Sequence, residues 1–542
     1  MKRFLAVIIG VVLLGVVFAM APAKKRTTRK KEEDKKVYLV HADRLHYDQY
    51  RNGDAQVLNG HVHFRHQGAD LYCDSAHFYE QSNSFEAFGH VRMVQGDTLS
   101  LTSNYAYYDG NDQLAQARYN VVLRHRKSTL YTDSLDYDRL YNFGNFFEGG
   151  KLVDGNSVLT SDWGEYHTDT KQAMFYFDVQ LKDKKLFMTT DSLFYDTQTS
   201  RAHIVGPSNI TSGTSHIYSE NGYYNTKTEQ SELYGRSVIT DQGRTLVGDS
   251  VYHNAADGTN YAYWNVVYND TVNKNMMTGD YCEYNDSTGY AMATKRAVTI
   301  DYSQQDSLFM HADTFKIYTF NIRTDSVYRK IHAYNKVRAF RTDVQAVCDS
   351  LVYNTKDSCM TMYKDPIIWY NNSQQLLGEV AKVYMRDSTI DYAHIVGQAF
   401  AAEQLHDSIH YDQVSSKEMK AFFANGELKE MQAIDNVLSN RYYIDEEDSV
   451  ITMMNYLETP LMKMFMKNRK MDRFWASKSS AVIYPINQVP ADKHTLTGFA
   501  WFDYVRPVDK NDIFNWRPKK AGTELKEIKR REPPKRIIHS HE

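Results

Sequence analysis

The residues best suited to metal chemistry in this 542-residue chain are three neighbouring histidines, His61, His63 and His66. Side chains alternate along a strand, so His61 and His63 would share one strand face, as two metal ligands can. No cysteine pair or carboxylate stands at ligand spacing in the same repeat unit, and most other histidines are scattered singly. The sequence therefore predicts polar-face histidines, with no metal site and no cofactor.

Signatures of catalysis are missing from the sequence. It contains no Walker-type phosphate loop, no zinc-protease helix motif and no Gly-x-Ser-x-Gly elbow. Asp and Asn crowd into segments such as Asp109-Gly110-Asn111-Asp112, but the Gly-Gly-x-Gly-x-Asp pattern of calcium-binding β-rolls is absent. Turn formation accounts for these residues, because Asn and Asp side chains hydrogen-bond to the backbone of turns. The chain is not expected to be an enzyme.

A repeat of about 29 residues organises most of the chain. Its units open with runs such as Asp133-Ser134-Leu135-Asp136-Tyr137 and Asp191-Ser192-Leu193-Phe194-Tyr195. A fixed period in this range is typical of a stacked architecture in which no unit buries its own core. The thirteen unit starts are Asp43, Asp74, Ser103, Asp133, Asp162, Asp191, Glu220, Asp249, Asp280, Asp313, Asp349, Glu379 and Lys417.

Each unit contains at least two strands separated by polar turns. The opening run forms the first strand, and the second often carries Gly-x-Val, as in Gly60-His61-Val62. Short alternating strands with regular turns predict an all-β array, and the opening Asp is expected to end or cap a strand edge. Tyr occupies the fourth position after the start in eight of thirteen units. At a strand spacing of about 4.8 Å, these rings would form a continuous ladder along one wall.

The ends of the chain differ from its body. Residues 1–21, with Lys2-Arg3 before an apolar run, predict a cleaved signal peptide, or alternatively a retained anchor. A basic linker (residues 22–36) precedes the repeat domain (37–440), an atypical cap or docking region (441–509) and a charged tail expected to be disordered (510–542). The body is acidic and both tails are basic, which argues against nucleic acid in an exported chain. The tails are either solvated linkers or contacts to an anionic membrane.

The repeat resembles that of a known family. Ala42-Asp43-Arg44-Leu45-His46-Tyr47-Asp48 and Ala87-Phe88-Gly89-His90-Val91 are similar to the Ala-Asp-x-Leu-x-Tyr-Asp and Gly-Asn-Val elements of the OstA-like (organic solvent tolerance) family, which includes LptA-type periplasmic proteins. The resemblance covers about residues 37–440. It implies an elongated antiparallel β-jellyroll, folded like a taco, whose apolar groove carries the acyl chains of lipid A. It also implies edge-strand pairing with inner-membrane and outer-membrane transport components.

These observations lead to two hypotheses from different classes. The first is a lipopolysaccharide-binding transport bridge in the periplasm, associated with the outer or the inner membrane. The alternative is an exported β-solenoid scaffold or adhesin with a filled core and no lipid ligand; a glycan-binding surface built from the 41 Tyr residues is a third option. Strand alternation predicts that the groove or core includes Leu45, Tyr47, Tyr105, Tyr107, Leu135, Tyr137, Leu193 and Tyr195.

Overall fold

The computed structural model describes residues 35–47, 54–285, 287–386, 389–425, 427–445, 447, 449–467 and 470–523. The expected signal peptide, most of the basic linker and the end of the charged tail lie outside them. The described residues are almost wholly β, with three short 3₁₀ helices (Ile486–Gln488, Asp503–Val505 and Asp512–Phe514). The predicted all-β antiparallel fold is confirmed. No helix among the described residues is both long and apolar enough to span a bilayer.

The chain divides into two compact units, the first formed by Met1–Arg126 with Asp136–Tyr141 and the second by Lys127–Leu135 with Asn142–Glu542. The first unit contains β1 (Tyr38–His41), β2 (Arg44–Tyr47), β3 (Gln56–His66), β4 (Ala69–Tyr79), β5 (Ser84–Gln95), β6 (Leu99–Asp109) and β7 (Leu114–His125). Strand β8 (Ser128–Asp138) contributes its first eight residues to the second unit and its last three to the first.

The second unit continues as a long run of strands. They are β9 (Phe143–Phe146), β10 (Gly150–Asp154), β11 (Ser157–Ser161), β12 (Trp163–His167), β13 (Gln172–Asp183), β14 (Leu186–Asp196), β15 (Arg201–Ser212), β16 (Ser215–Asn225), β17 (Gln230–Asp241), β18 (Arg244–Asn254), β19 (Thr259–Asp270), β20 (Asn275–Asn285), β21 (Ala291–Thr294), β22 (Val298–Asp301), β23 (Leu308–His311), β24 (Thr314–Phe320), β25 (Tyr328–Phe340), β26 (Val344–Asn354), β27 (Cys359–Tyr363), β28 (Ile367–Tyr370), β29 (Gln374–Leu377), β30 (Val380–Arg386), β31 (Thr389–Gln404), β32 (Tyr411–Ala424), β33 (Glu427–Ile444), β34 (Ile451–Lys467), β35 (Lys470–Ser477) and β36 (Ser480–Pro485).

Successive strands pair antiparallel through hairpins whose turns follow the expected chemistry. At the tip after β6, the Asp109 carboxylate accepts hydrogen bonds from the backbone N–H groups of Asn111 and Asp112. Asp196 and Asn225 do the same in the sixth and seventh repeat units. The interpretation of the Asp- and Asn-rich segments as turns is therefore confirmed, because these carboxylate and amide groups are used by the backbone itself.

Each long strand is bent near its middle. In the pairing of β13 with β14, Tyr176 faces Ser192 and Val179 faces Thr190, so two residues of β13 oppose Asp191 alone. Those two residues, Phe177 and Asp178, both have positive φ. This is a β-bulge, which turns the strand sharply. Because the bend recurs in each pair of strands, the two halves of the strands form two facing walls.

A buried hydroxyl fixes the bend on the partner strand. The Thr190 Oγ1 donates to the carbonyl of Ser192, two residues later, and the Ser219 Oγ donates likewise to Asn221. The same hydroxyl bond occurs at further bends, from Ser103, Thr132, Ser161, Ser416 and Thr459, and the weaker thiol donor of Cys348 takes its place at another. The hydroxyl donates a hydrogen bond to a backbone carbonyl that the bend takes out of the pairing between strands. An apolar side chain could not supply this hydrogen bond.

The residue at each unit start lies at this bend. Nine of the thirteen lie within a strand, whereas four lie at a break between two strands, where the expected strand end is found: Asp43, Asp162, Asp313 and Glu379. Asp43 and Asp74 accept hydrogen bonds from His61 and His90, which follow the glycines of the neighbouring bulge. A Cβ at Gly60 or Gly89 would overlap those carboxylates, and both glycines have positive φ. The Gly-x-Val signature therefore marks the outside of a bend, where the carboxylate needs room.

One bend carries the opposite arrangement of charges. Asp349 and Asp313 pair with the bulge residues Lys364 and Lys336, whereas Lys417 occupies the unit start in β32 and pairs with Asp435 in the bulge of β33. The positions have exchanged charge while keeping their geometry. At these three bends the two positions carry opposite charges, and either position can hold the carboxylate.

The array does not end at residue 440. Strand β34 pairs with β33 through another bend, between Leu461 and Thr459, and then pairs with both β35 and β36. Residues 486–520, which we call the strap, follow β36 and contain no strand. The strap packs on the outer face of one wall against Ile367, Trp369 and Phe400. Residues 441–509, expected to be an atypical cap or docking region, thus contain three more strands of the sheet and most of the strap.

Reversing the charges at the β32–β33 bend tests the pairing rule. Lys417→Asp places two carboxylates together and is expected to lower the free energy of unfolding by about 0.5 to 1 kcal/mol, because the site is half exposed. Adding Asp435→Lys should restore the loss, since Lys364 already occupies the equivalent bulge position of another unit. Urea unfolding of both single variants and the double variant measures this; additive losses in the double variant would contradict the rule.

The pH dependence of stability provides a second test, at Asp412 of β32. Burial raises the pKa of Asp412 to about 6, although the backbone N–H of Tyr442 donates to its carboxylate. The folded state thus holds a proton that the unfolded chain releases above about pH 4, so stability falls as pH rises from 4 to 6. Asp412→Asn should remove this fall and stabilise the protein at pH 7.5 by on the order of 1 to 2 kcal/mol.

Asp407 is the matched control for that measurement. A hydrogen bond from His410 outweighs the burial of Asp407, and its pKa falls to about 2. Its carboxylate contributes stability that is present above pH 4 and lost as pH falls towards 2. Asp407→Asn should therefore destabilise at pH 7.5. The same sign for both variants would show that the two environments have been assigned wrongly.

Candidate functional site

One row of apolar side chains crosses the inner face of a wall in the second unit. The inner row consists of directly paired residues on successive strands: Leu130, Leu152, Leu159, Leu181, Met188, Ile210, Ile217, Ile239, Leu246, Tyr268 and Met277. From Leu130 to Ile210 the side chains are buried, none more than 4% exposed. From Ile217 to Met277 all are partly exposed. The sequence stays apolar while solvent gains access, so an apolar cleft opens here.

The facing wall shows where the cleft has its floor. Its row nearest the bend stays buried, through Leu193, Ile204, Leu233, Val251 and Ala262. Its row nearest the mouth becomes partly exposed at Ser231 and His253. The side chains of both walls are thus buried near the bend and partly exposed away from it, towards the side that we call the mouth. This stretch is the candidate apolar cleft, with polar groups at its rim.

Methionine is frequent in the core of the strands that follow the cleft along the chain. A core cluster extends from Ala293 to Met462, and its partly buried members include Met277, Met360, Met385, Met431 and Met464. Its fully buried members near the bends are small, as at Ala297, Ala312 and Ala433. Methionine is flexible and polarisable, so its side chains can adapt to ligands of irregular shape.

In the strands that precede the cleft along the chain, hydrogen bonds join the two walls of the second unit on the side away from the bend. The Tyr195 hydroxyl donates to Asp154, at the tip of β10 on the opposite wall, at 3.2 Å, and lies equally close to the Thr226 hydroxyl. Asp154 also accepts from Ser128. Burial raises the pKa of Tyr195, so it remains a neutral donor. Residues 128–210 are thus a filled core with a hydrogen-bonded lid.

The first unit is closed in a similar way. The Tyr108 hydroxyl lies 2.7 Å from His66 Nδ1, and the Arg139 guanidinium donates to it and to the carbonyl of Gln67. Burial lowers the pKa of His66, so it is neutral at physiological pH. Phe64 and Phe85 stack beneath this network and are fully buried.

The residues predicted to belong to the groove or core divide into three groups. Leu135, Leu193 and Tyr195 are fully buried in the filled core of the second unit, and Tyr137 is fully buried in the first unit. Leu45 and Tyr47 lie on β2, at the start of the array, and are 56% and 53% exposed. Tyr105 and Tyr107 are partly exposed on β6. None of the eight lies in the cleft, although four share the inner face with it.

Tyr105 and Tyr107 were assigned to the inner face through a one-residue error in phase. The hydroxyl that fixes the bend belongs to Ser103, so the unit start equivalent to Asp191 is Asn104. Ala106 and Tyr108 consequently point inwards, and Tyr105 and Tyr107 point to the other face, where the Tyr105 hydroxyl donates to Glu86. A shift of one residue exchanges the faces of a strand.

The predicted continuous tyrosine ladder is also wrong. A unit contains two strands, so an inward Tyr occurs on every second strand only. In register, Ala173 lies between Tyr166 and Tyr195, and Ala202 lies between Tyr195 and Tyr224. Successive rings are therefore about 10 Å apart, two strand spacings, and alternate with small side chains.

The clustered histidines do not converge. His61 lies in the bulge next to Asp43, His63 faces Asp70 and His66 faces Tyr108. His61 has positive φ in the bulge, and the two histidines engage different carboxylates, Asp43 and Asp70, so they do not form a pair of metal ligands. Within the described residues, no group of three His, Cys, Asp or Glu side chains is placed to hold a metal ion.

The cleft contains a neutral thiol and has a charged rim. Cys282 lies on the inner face, and burial raises the pKa of its thiol to about 12, so it is a neutral, poor nucleophile. At the mouth, Asp270 accepts from Arg244 and Asn273. Burial acts to raise the pKa of Asp270, but these hydrogen bonds outweigh it and lower the pKa, so the rim is charged. Such a cleft suits a ligand with apolar chains and a polar head.

Comparison with known proteins identifies the first part of the chain. Residues 34–191 match the family model described as OstA-like protein. A similar solved structure is that of LptH, described as the LptA homologous periplasmic component of the conserved lipopolysaccharide transport device from Pseudomonas aeruginosa; it is 15% identical, the match covers 24% of this chain and 77% of that one, and the TM-score is 0.13. No curated protein matches the sequence. The predicted resemblance to the OstA-like family is confirmed over residues 34–191.

Proposed function

We propose that this protein binds lipopolysaccharide in the periplasm and shields the acyl chains of lipid A during transport to the outer membrane. The observation that carries the proposal is the inner row, which remains apolar but becomes accessible from Ile217 to Met277. The OstA-like region ends at Asp191, before the cleft. The family match therefore supports the transport class, and the cleft supports the lipid.

Apolar contact suits a ligand that must be held and then passed on. Burial of acyl chains contributes about 25 cal/mol per Å2 of apolar surface and has no directional requirement. A chain lying along Ile239, Leu246 and Tyr268 can slide to the next strand without breaking a specific bond. The polar rim at His253 and Asp270 would leave the phosphorylated head outside, next to solvent.

A second candidate function is supported by the closed stretch. Phe146, Phe175, Tyr195 and Leu181 fill the space between the walls completely. This favours an exported scaffold without a lipid ligand, at least for residues 128–210. The two functions differ in whether anything enters the cleft that follows.

The ends of the array suit contacts with other transport components. Leu45 and Tyr47 on β2 are exposed, and so are Val482 and Ile483 on β36. Exposed apolar residues on terminal strands favour pairing with a strand of another protein. Under this proposal, inner-membrane and outer-membrane components dock at these ends, and Leu45 and Tyr47 belong to a docking surface and not to the groove. The basic tails would contact a membrane.

Site-specific photocrosslinking in cells tests where lipid lies. A photoreactive residue at Leu246 or Met277 should give a lipopolysaccharide adduct, because both side chains line the cleft. Val247 is the matched control, since it is the next residue of β18 and points to the other face. Met188 is a second control, since it occupies the same inner row in the filled core.

The outcomes separate the two functions. Adducts from Leu246 and Met277 alone would support transport through the cleft. Adducts from no inward position would exclude lipid transport and favour the scaffold. Equal labelling from Leu246 and Val247 would indicate non-specific contact and would also contradict the proposal.

Introducing a charge into the cleft should weaken lipid binding. Leu246→Asp removes an apolar contact and puts a carboxylate beside the acyl chains, so affinity for purified lipopolysaccharide should fall by about tenfold to a hundredfold. Leu246 is partly exposed, so the thermal midpoint should change little. Thr245→Asp, on the same strand but the other face, is the control. Unchanged affinity in Leu246→Asp would contradict the assignment of the cleft.

A further inference from the structure

The strap is bound to the wall through its main chain. Gln413 donates through Nε2 to the carbonyl of His494 at 3.0 Å and accepts through Oε1 from the N–H of Leu496 at 2.9 Å. Gln375 repeats the arrangement with the carbonyl of Ala500 at 2.8 Å and the N–H of Phe502 at 2.7 Å. Each glutamine engages the C=O of one strap residue and the N–H of the residue two positions later.

A glutamine amide can do this because it offers one acceptor and a donor, as a peptide group does. Gln375 and Gln413 lie in one cross-strand row with Ala402 between them, and Asn440 follows in the same row. Asn440 donates to the carbonyl of Lys493. All three polar side chains are almost completely buried, at 2%, 1% and 0% exposure. Their hydrogen-bonding groups are thus reserved for a segment lying across the strands.

Apolar side chains of the strap fill the spaces between these contacts. Leu496, Phe502 and Val505 are buried in the cluster formed with Ile367, Trp369, Leu377 and Phe400 on the outer face of the wall. Side chains such as Thr495 and Asp503 point to solvent. Recognition therefore combines main-chain hydrogen bonds with a few apolar anchors, which is how proteins bind extended peptides.

Charge completes the fit at the far end of the strap. Arg338 of β25 is fully buried and donates to the carbonyl of Val505 at 2.9 Å. Its carboxylate partner is Asp512 of the strap, at 3.4 Å, which also pairs with Arg517. A buried cation needs a counter-charge. The wall supplies the cation and the strap the anion.

We propose that the outer face of β25–β34 is a peptide-binding groove that recognises an extended segment by its main chain. Its occupant is the chain's own segment 493–517, which can be exchanged for the same segment supplied in trans. The groove lies on the outer face, whereas the proposed lipid cleft lies on the inner face. The inference is thus independent of lipid transport.

The test uses the full-length protein with a specific protease site inserted between Ala491 and Asp492, which are exposed and precede the bound segment. After cleavage, the released C-terminal fragment should remain associated on gel filtration. A fluorescent synthetic peptide of residues 493–517 should then exchange into the groove of the cleaved protein and bind far less to the uncleaved protein, as measured by anisotropy.

Main-chain recognition is tested from the peptide, so that folding of the protein is not at issue. Methylation of the backbone nitrogen of Leu496 or Phe502 removes one hydrogen bond and adds a clash, and should lower competitor potency at least tenfold. Thr495 lies between the His494 carbonyl and the Leu496 N–H, the two groups that bind Gln413. Methylation of the backbone nitrogen of Thr495 should have a much smaller effect. Equal effects at all three positions would overturn main-chain recognition by Gln413 and Gln375.

Variants of the groove provide the reciprocal measurement. Gln375→Ala and Gln413→Ala should each speed dissociation of the cleaved fragment by about tenfold. Gln374→Ala is the matched control, since Gln374 is adjacent and its side chain donates to Glu403. If the fragment never exchanges in excess peptide, or if Gln374→Ala releases it as fast as Gln375→Ala, the groove proposal is wrong.

Discussion

The bend in mid-strand is the feature on which the rest of the structure depends. Two residues with positive φ oppose one residue of the partner strand, a buried hydroxyl satisfies the carbonyl that leaves the ladder, and a charged or polar pair bridges the outside. Without the bend, the strands would form an open two-faced sheet with no interior. With it, each of the two compact units encloses its own core. Each long strand has one bend and each repeat unit has two strands. The repeat length of about 29 residues is therefore the distance along the chain from one bend to the bend two strands later.

The sequence indicates this architecture well because the bend has local signals. Gly60-His61 and Gly89-His90 mark bulges, and Asp43 and Asp74 mark the strands opposite them. The unit start predicted at Ser103 is wrong by one residue, because a run that begins with Ser looks in sequence like a run that begins with Asp. Only the hydrogen bond from Ser103 to the carbonyl of Tyr105 shows which position of the bend Ser103 occupies. The tyrosine ladder fails for a related reason, since periodicity alone does not reveal that alternate strands carry Ala173 and Ala202.

The opening of the cleft could not be predicted from residue types. Leu181 and Leu246 occupy the same row and are equally apolar, yet one is buried and the other partly exposed. The difference lies in the rim, where Tyr195 reaches Asp154 across the mouth but the shorter His253 pairs with Asn260 on its own wall. The strap was missed as well, although a signal existed: β28, β29 and β31 are apolar on both faces at Trp369, Leu377 and Phe400, which indicates that both faces are covered.

The strap also imposes an order on folding. Arg338 and Asp512 are separated by 174 positions in the chain, and Gln375 is separated from Phe502 by 127. At a synthesis rate of about 5–20 residues per second, the strands that present Arg338 are complete roughly 10 to 30 seconds before its carboxylate exists. During this interval the outer face is apolar, charged and uncovered. A molecule without the strap therefore exposes an apolar face and a buried cation that the complete fold covers.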